Sequence, residues 1–311
     1  MKRNTLWVVL AACLLGTSAW AGPISFTTFE SIGANPAEIT AARDNFRAAV
    51  GGGTVAGANG SFGGLRREIN WDGVPNARSD PSALPGNFFN VNSPRGAVFS
   101  TPGSGFLVSA NAGLSTPILF GFAEDFQTFS AQRLFTAISS NITDVTFFLP
   151  GTAIAATVNA FAAIFVDVED AGETKVEFFD AAGSLIYAHD ALVAGNQGLS
   201  FVGAVASGGG RISRVRLTSG LNTISANGVL GNPDDDVVVM DDFIYAEPVR
   251  AVPEPSSLAL MGLALALGVT GLRRKSGPRA SWCSSLRAKR GNPPLRLAMM
   301  DCRAALAMTG L

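Results

Sequence analysis

The sequence predicts a mainly β domain: a sandwich of short strands with one helix, flanked by an apolar segment at each end. Three observations carry this expectation. From Val98 to Tyr245, runs of apolar and β-branched residues recur roughly every 10–20 positions between glycine-rich turns. One stretch, Ala37 to Val50, has helix punctuation at both ends. All 21 phenylalanines lie between Phe26 and Phe243, which confines the core to the middle of the chain.

Taken in order, Ile24 to Phe29 reads as a first strand. The helix follows, with Pro36 near its first position and Gly51-Gly52-Gly53 ending it. Residues 51–64 are rich in glycine and read as a loop or irregular strand. Residues 72–96 carry Pro75, Pro81, Pro85 and Pro94 among Asn, Asp and Ser, and read as a long ordered loop. Strands then dominate: Phe106–Ala110, Ile118–Phe122, Asp144–Leu149 stopped by Pro150-Gly151, and Thr157–Val168. Thr174–Phe179 and Ser184–Tyr187 flank the hairpin signal Asp180-Ala181-Ala182-Gly183. Leu199–Val205, Ile212–Leu217 and Val237–Tyr245 complete the set.

The termini read as addresses. Lys2 and Arg3, the apolar run Leu6–Leu15 and the small-x-small site Ala19-Trp20-Ala21 predict a signal peptide over residues 1–21. Signal peptidase would then leave a mature start at Gly22. Leu10-Ala11-Ala12-Cys13 resembles a lipoprotein processing box, but only the seven residues Leu6–Ala12 would precede the cysteine. At the other end stand Val252, Pro253, Glu254 and Pro255, an uncharged stretch Leu258–Leu272, and the basic stop Arg273-Arg274-Lys275. A helix over those fifteen residues is roughly 22 Å long, against roughly 30 Å of hydrocarbon, so the bilayer must thin or the flanks snorkel. The basic cluster belongs on the cytoplasmic side.

The order and spacing of residues 252–275 resemble the PEP-CTERM sorting signal of exported Gram-negative bacterial proteins. The resemblance implies that a membrane-embedded exosortase recognises the motif and processes the tail. The protein would be anchored transiently in the inner membrane and then pass to the cell surface or beyond, at the envelope or in the extracellular polysaccharide matrix. Residues 22–250 are the exported domain, 251–275 the sorting and anchor segment, and 276–311 a basic tail. That tail holds six Lys+Arg and one acid and runs past the point where such signals normally finish. It resembles translated intergenic repeats and reads as read-through of a lost stop codon; the alternative is a cytoplasmic extension.

Composition narrows the chemistry. Residues 23–248 hold 22 Asp+Glu against 11 Lys+Arg, a net charge near −11, with Lys175 the only lysine. Nucleic acid is therefore not an expected partner. Cys13, Cys283 and Cys302 all lie outside residues 22–250, which removes disulfides, thiolate nucleophiles and Cys-ligated zinc from the domain. The sole histidine, His189, neighbours Asp190, but adjacent side chains on a strand point to opposite faces, so Asp190 cannot orient the ring. No Gly-x-Ser-x-Gly elbow is present. The domain is expected to be non-catalytic. Glycoside hydrolysis would need two acids about 5–10 Å apart, a distance a sequence does not state.

Three acidic groups stand out as calcium candidates: Asp167, Glu169 and Asp170; Asp234-Asp235-Asp236; and Asp241-Asp242. Residues 140–247, with Lys175-Val-Glu-Phe-Phe-Asp and Val239-Met-Asp-Asp-Phe-Ile-Tyr, resemble the C-terminal half of jelly-roll domains in carbohydrate-binding modules and many PEP-CTERM cargoes. That resemblance implies a jelly-roll-like β-sandwich, with a structural calcium joining the first strand to an acid on the last. Glu30, Asp241 and Asp242 are the residues it points to. For sugar stacking, Trp71 in Ile69-Asn-Trp-Asp-Gly is the best candidate, a core tryptophan being the alternative. The leading expectation is a structural or interaction protein of an exopolysaccharide or biofilm matrix. A carbohydrate-binding module comes second and a secreted hydrolase third.

Overall fold

Asn35 starts the helix α1 (Pro36–Val50): its side chain accepts the Ala37 N–H at 3.1 Å, while Glu38 accepts the Ala34 N–H at 2.7 Å. Gly51, at φ 93°, ends it by donating its N–H to the Arg47 carbonyl. The helix thus begins one residue earlier than the sequence pattern suggests. This is a computed structural model that describes residues 23–110, 119–225, 228–230 and 235–251. The signal-cleavage residues Ala19 and Ala21 and the sorting and anchor segment from Val252 to Lys275 lie outside the described residues, as does the tail.

In chain order the first strands are β1 (Phe26–Gly33), β2 (Ser61–Phe62), β3 (Arg66–Ile69), β4 (Ala97–Ser100), β5 (Gly105–Val108) and β6 (Phe135–Ile138). Next come β7 (Ile142–Phe147), β8 (Ala156–Thr157), β9 (Ala160–Val166), β10 (Lys175–Phe179), β11 (Leu185–Asp190) and β12 (Leu199–Ala206). The last are β13 (Arg214–Thr218), β14 (Thr223–Ser225), β15 (Gly228–Leu230), β16 (Val239–Ala246) and β17 (Val249–Arg250). A front sheet runs β1-β12-β9-β16-β6-β14-β15, with β3 also on β16, β2 on β3 and β5 on β6. A back sheet runs β11-β10-β13-β7-β4, and β17 pairs with β8. Pairing is antiparallel except at β14–β6. The mainly β architecture of antiparallel sheets expected from the sequence is the one observed.

The chain crosses between sheets repeatedly, so neighbours in a sheet are distant in sequence. The back-sheet strands β7, β10 and β13 alternate buried and half-buried residues, leaving one face to solvent. There Asp144 accepts two bonds from Arg216, at 2.9 and 2.8 Å, and one from Arg214 at 2.7 Å. In the front sheet β9 and β16 are buried along their whole length. The outer cover is α1: Phe46 meets Phe29 and Phe201 edge-on at 5.7 and 6.0 Å. Gly203 makes room for it, since a Cβ there would lie 2.6 Å from the Ala162 Cβ and 3.0 Å from a Phe46 ring carbon. Between the sheets Phe161 meets Phe178 at 6.3 Å and Phe147 at 6.4 Å.

Three local expectations are corrected. Leu119–Gly121, inside the expected strand Ile118–Phe122, is a 3-10 turn in which Leu119 and Phe120 have φ of 49° and 56°. The proline-rich stretch 72–96 contains a short second helix, α2 (Phe88–Val91). Arg66–Ile69 and Phe135–Ile138, not expected as strands, become β3 and β6 because β16 supplies pairing partners for β3 and β5 supplies them for β6. Cross-strand hydrogen bonding outweighs their weak local pattern. Among the described residues no helix is long and apolar enough to cross a membrane.

Candidate functional site

The register of β16 against β9 slips where two carboxylates meet. Met240 pairs with Phe165 and Phe243 with Ala163, so Asp241 and Asp242 together oppose Ile164 in a β-bulge. The Asp241 Oδ2 accepts the N–H groups of Phe129 and Ser130 at 2.6 and 3.2 Å. The Ser130 hydroxyl lies 3.1 Å from Asp241 Oδ1 and 2.8 Å from Asp242 Oδ1. Burial, then the neighbouring Asp242 charge, holds the Asp241 carboxyl well above the ordinary carboxylate range. Burial also raises Asp242, whose carboxyl shares the Ser130 hydroxyl with Asp241. The pair therefore keeps a proton to higher pH than an exposed aspartate would.

Asp242 lines a cleft of about 430 Å³ between one side of α1 and the β3 region, together with Arg43, Arg47, Glu68, Arg95 and Phe129. Glu68 is clamped there, accepting from Arg47 at 2.9 and 2.5 Å and from Arg66 at 2.6 Å. The Arg43 guanidinium sits 5.0 Å over the Phe129 ring. Arg95 donates to the Glu68 main-chain carbonyl at 3.0 Å and to the Ser93 hydroxyl. Among the described residues Arg95 makes no salt bridge, and burial pulls its pKa down. The cleft thus offers guanidinium N–H groups and aromatic faces, while its acids are already hydrogen-bonded.

Trp71, the candidate for stacking on sugar, is in the core instead. It is 1% exposed, lies parallel to Phe135 at 4.0 Å and meets Phe243 and Phe89 edge-on at 5.2 and 5.5 Å. Its indole N–H donates to the Asp241 carbonyl at 2.8 Å. Nor does the fold bring Glu30 to the Asp241–Asp242 pair. Glu30 on β1 is separated from β16 by β12 and β9, about 14 Å at the usual strand spacing. Its carboxylate lies 2.6 Å from His189 Nε2 on β11, a half-exposed contact at the sandwich edge. The sequence reading missed Glu68, Arg95 and Ser130. Arg66-Arg67, a basic pair in an acidic domain, was the one local hint of a charged site nearby.

Comparison with known proteins adds the address. Residues 251–275 match the family model for the PEP-CTERM protein-sorting motif. The chain carries the signal of an exosortase substrate, which marks export with transient membrane anchoring and makes exosortase its processing partner. No curated protein and no solved structure matches it.

Proposed function

We propose that the sandwich is a non-catalytic structural or interaction component of an exopolysaccharide or biofilm matrix, delivered there by exosortase sorting. One observation carries the reading. Asp241 is fully buried, and Glu68 is held by Arg47 and Arg66, so among the described residues no pair of free carboxylates stands open across the cleft as hydrolysis requires. Co-sedimentation of the purified full chain with exopolysaccharide from the producing cells tests it. Retention in the pellet without turnover of the polymer is expected. Release of reducing sugar, abolished by Asp242→Asn, would replace the reading with a hydrolase.

A carbohydrate-binding module is the second reading, favoured by Arg95, whose half-buried side chain makes no salt bridge among the described residues. With Arg43 also lining the cleft, it suits an acidic sugar. On a glycan array, binding confined to uronate-bearing glycans and weakened at least about tenfold by Arg95→Ala, a loss of about 1.4 kcal/mol, would favour this reading.

A further inference from the structure

Two acidic runs far apart in the sequence converge at one end of the front sheet. Val166 and Val239 pair where β9 ends and β16 begins. Asp167 and Glu169 follow the first strand, and Asp236 precedes the second. One carboxylate oxygen from each of the three lies within 4.8 Å of the others. Asp167 is 5% exposed and Asp236 3%, while Glu169 faces solvent.

The environment of Asp236 sets this cluster apart from an ordinary acidic surface. Its Oδ2 accepts the N–H groups of Glu169 and Asp170, each at 3.2 Å. Its Oδ1 is buried and has no hydrogen-bond partner. A carboxylate oxygen removed from water with nothing to bind is costly unless a cation takes the place of solvent. Asp167 accepts the Gln197 N–H at 2.8 Å on one oxygen. Burial, then Glu169, Asp236 and Asp125, pushes the Asp167 carboxyl up to about 7. Burial, followed by Asp170 and Glu169, pushes Asp236 up to about 6. Neighbouring carboxylates thus oppose the ionisation of Asp167 and Asp236, a strain that a divalent ion would reverse.

We propose that Asp167, Glu169 and Asp236 form a divalent-cation site that takes calcium. The donors are oxygen only, which suits a hard cation rather than zinc or copper. Three oxygens spaced by no more than 4.8 Å share a point at most about 2.8 Å from each, close to the calcium–oxygen range of about 2.3–2.6 Å. Magnesium, at about 2.0–2.1 Å, would demand a larger contraction. The exposed side at Glu169 leaves room for water to complete the six to eight ligands calcium takes. Such an ion would clip the end of β9 to the approach of β16, the strand that leads towards the sorting segment. Neither Glu30 nor the Asp241–Asp242 pair takes part.

The test uses the full chain purified in detergent, stripped with EDTA and titrated with calcium chloride alone by isothermal calorimetry, with magnesium chloride in parallel. One calcium per chain is expected, with a dissociation constant no weaker than about 10⁻³ M and magnesium weaker. At 100 times that constant the melting temperature should rise by about 5–10 °C. Glu169→Gln and Asp236→Asn should each weaken binding at least tenfold. In EDTA, Glu169→Gln should melt no lower than the parent, because it removes repulsion rather than a ligand bond. Should Asp236→Asn fail to fold, Glu169→Gln alone decides. No calcium heat in the stripped parent, or full-strength binding in Glu169→Gln, would overturn the site.

Discussion

Replacing Trp71 separates a core tryptophan from a ligand platform. Trp71→Ala empties a site walled by Phe135, Phe243, Phe89 and Phe99, with ring centroids 4.0–5.8 Å from the indole. Truncating a buried aromatic costs about 3–5 kcal/mol, and the lost stacked pair adds about 0.5–1.5 kcal/mol. The Asp241 carbonyl also loses its indole donor. The backbone at Trp71, left-handed at φ 62°, gains nothing from the change, because alanine also disfavours that region. A loss of about 5 kcal/mol follows, or roughly 10–20 °C in melting temperature for a domain of this size. Trp71→Phe keeps most of the packing and loses the hydrogen bond, so about 1–3 kcal/mol is expected. Urea unfolding followed by far-UV circular dichroism measures both. Trp71 is also the only tryptophan between Gly22 and Lys275, so fluorescence of the processed protein reports on it alone. An alanine variant within about 1 kcal/mol of the parent, or acrylamide quenching as rapid as for free tryptophan, would refute the core assignment.

Asp144→Asn should destabilise the back sheet by about 1 kcal/mol, since it loosens Arg214 and Arg216 on a partly exposed face. Burial would raise the Asp144 carboxyl, but the hydrogen bonds from Arg216 and Arg214 outweigh it and hold the pKa below the usual 3.8. Its contribution is therefore complete above 3.8 and disappears as pH falls through the lower native value, so parent and variant should converge in an acid melting series. Gly203→Val should cost about 1–3 kcal/mol by forcing Phe46 and Ala162 apart, visible as a lowered melting temperature. Replacing Pro253-Glu254-Pro255 with alanines should leave the unprocessed chain in the membrane of a host with a matching exosortase. Truncation after Lys275 should sort normally there; immunoblots of membrane and medium check both.

Much of the fold was legible because it rests on local chemistry. The strand β10 and its hairpin follow from alternation around Asp180-Ala181-Ala182-Gly183, and α1 from Pro36 and the glycines that end it. β3 was not legible, because Arg66-Arg67-Glu68-Ile69 has little strand character until β16 lies beside it. The turn at Leu119–Gly121 was misread because an apolar run of that length suits a strand as well as a bend.

The sequence by itself determined the sorting signal. A sorting motif is contiguous in the sequence, so residues 251–275 state their role whatever strands lie side by side elsewhere. Alternation and the confinement of phenylalanine to the middle of the chain likewise settled that two apolar sheet faces would meet. Which side chains share a site was decided only in three dimensions. Trp71 is core, Glu30 turns to His189, and Asp236 reaches Asp167 and Glu169 because β9 and β16 are neighbours in one register. A strand's own residues specify which face each side chain takes, but not which strand lies next to it or at what offset. Those choices come from burying the whole core at once.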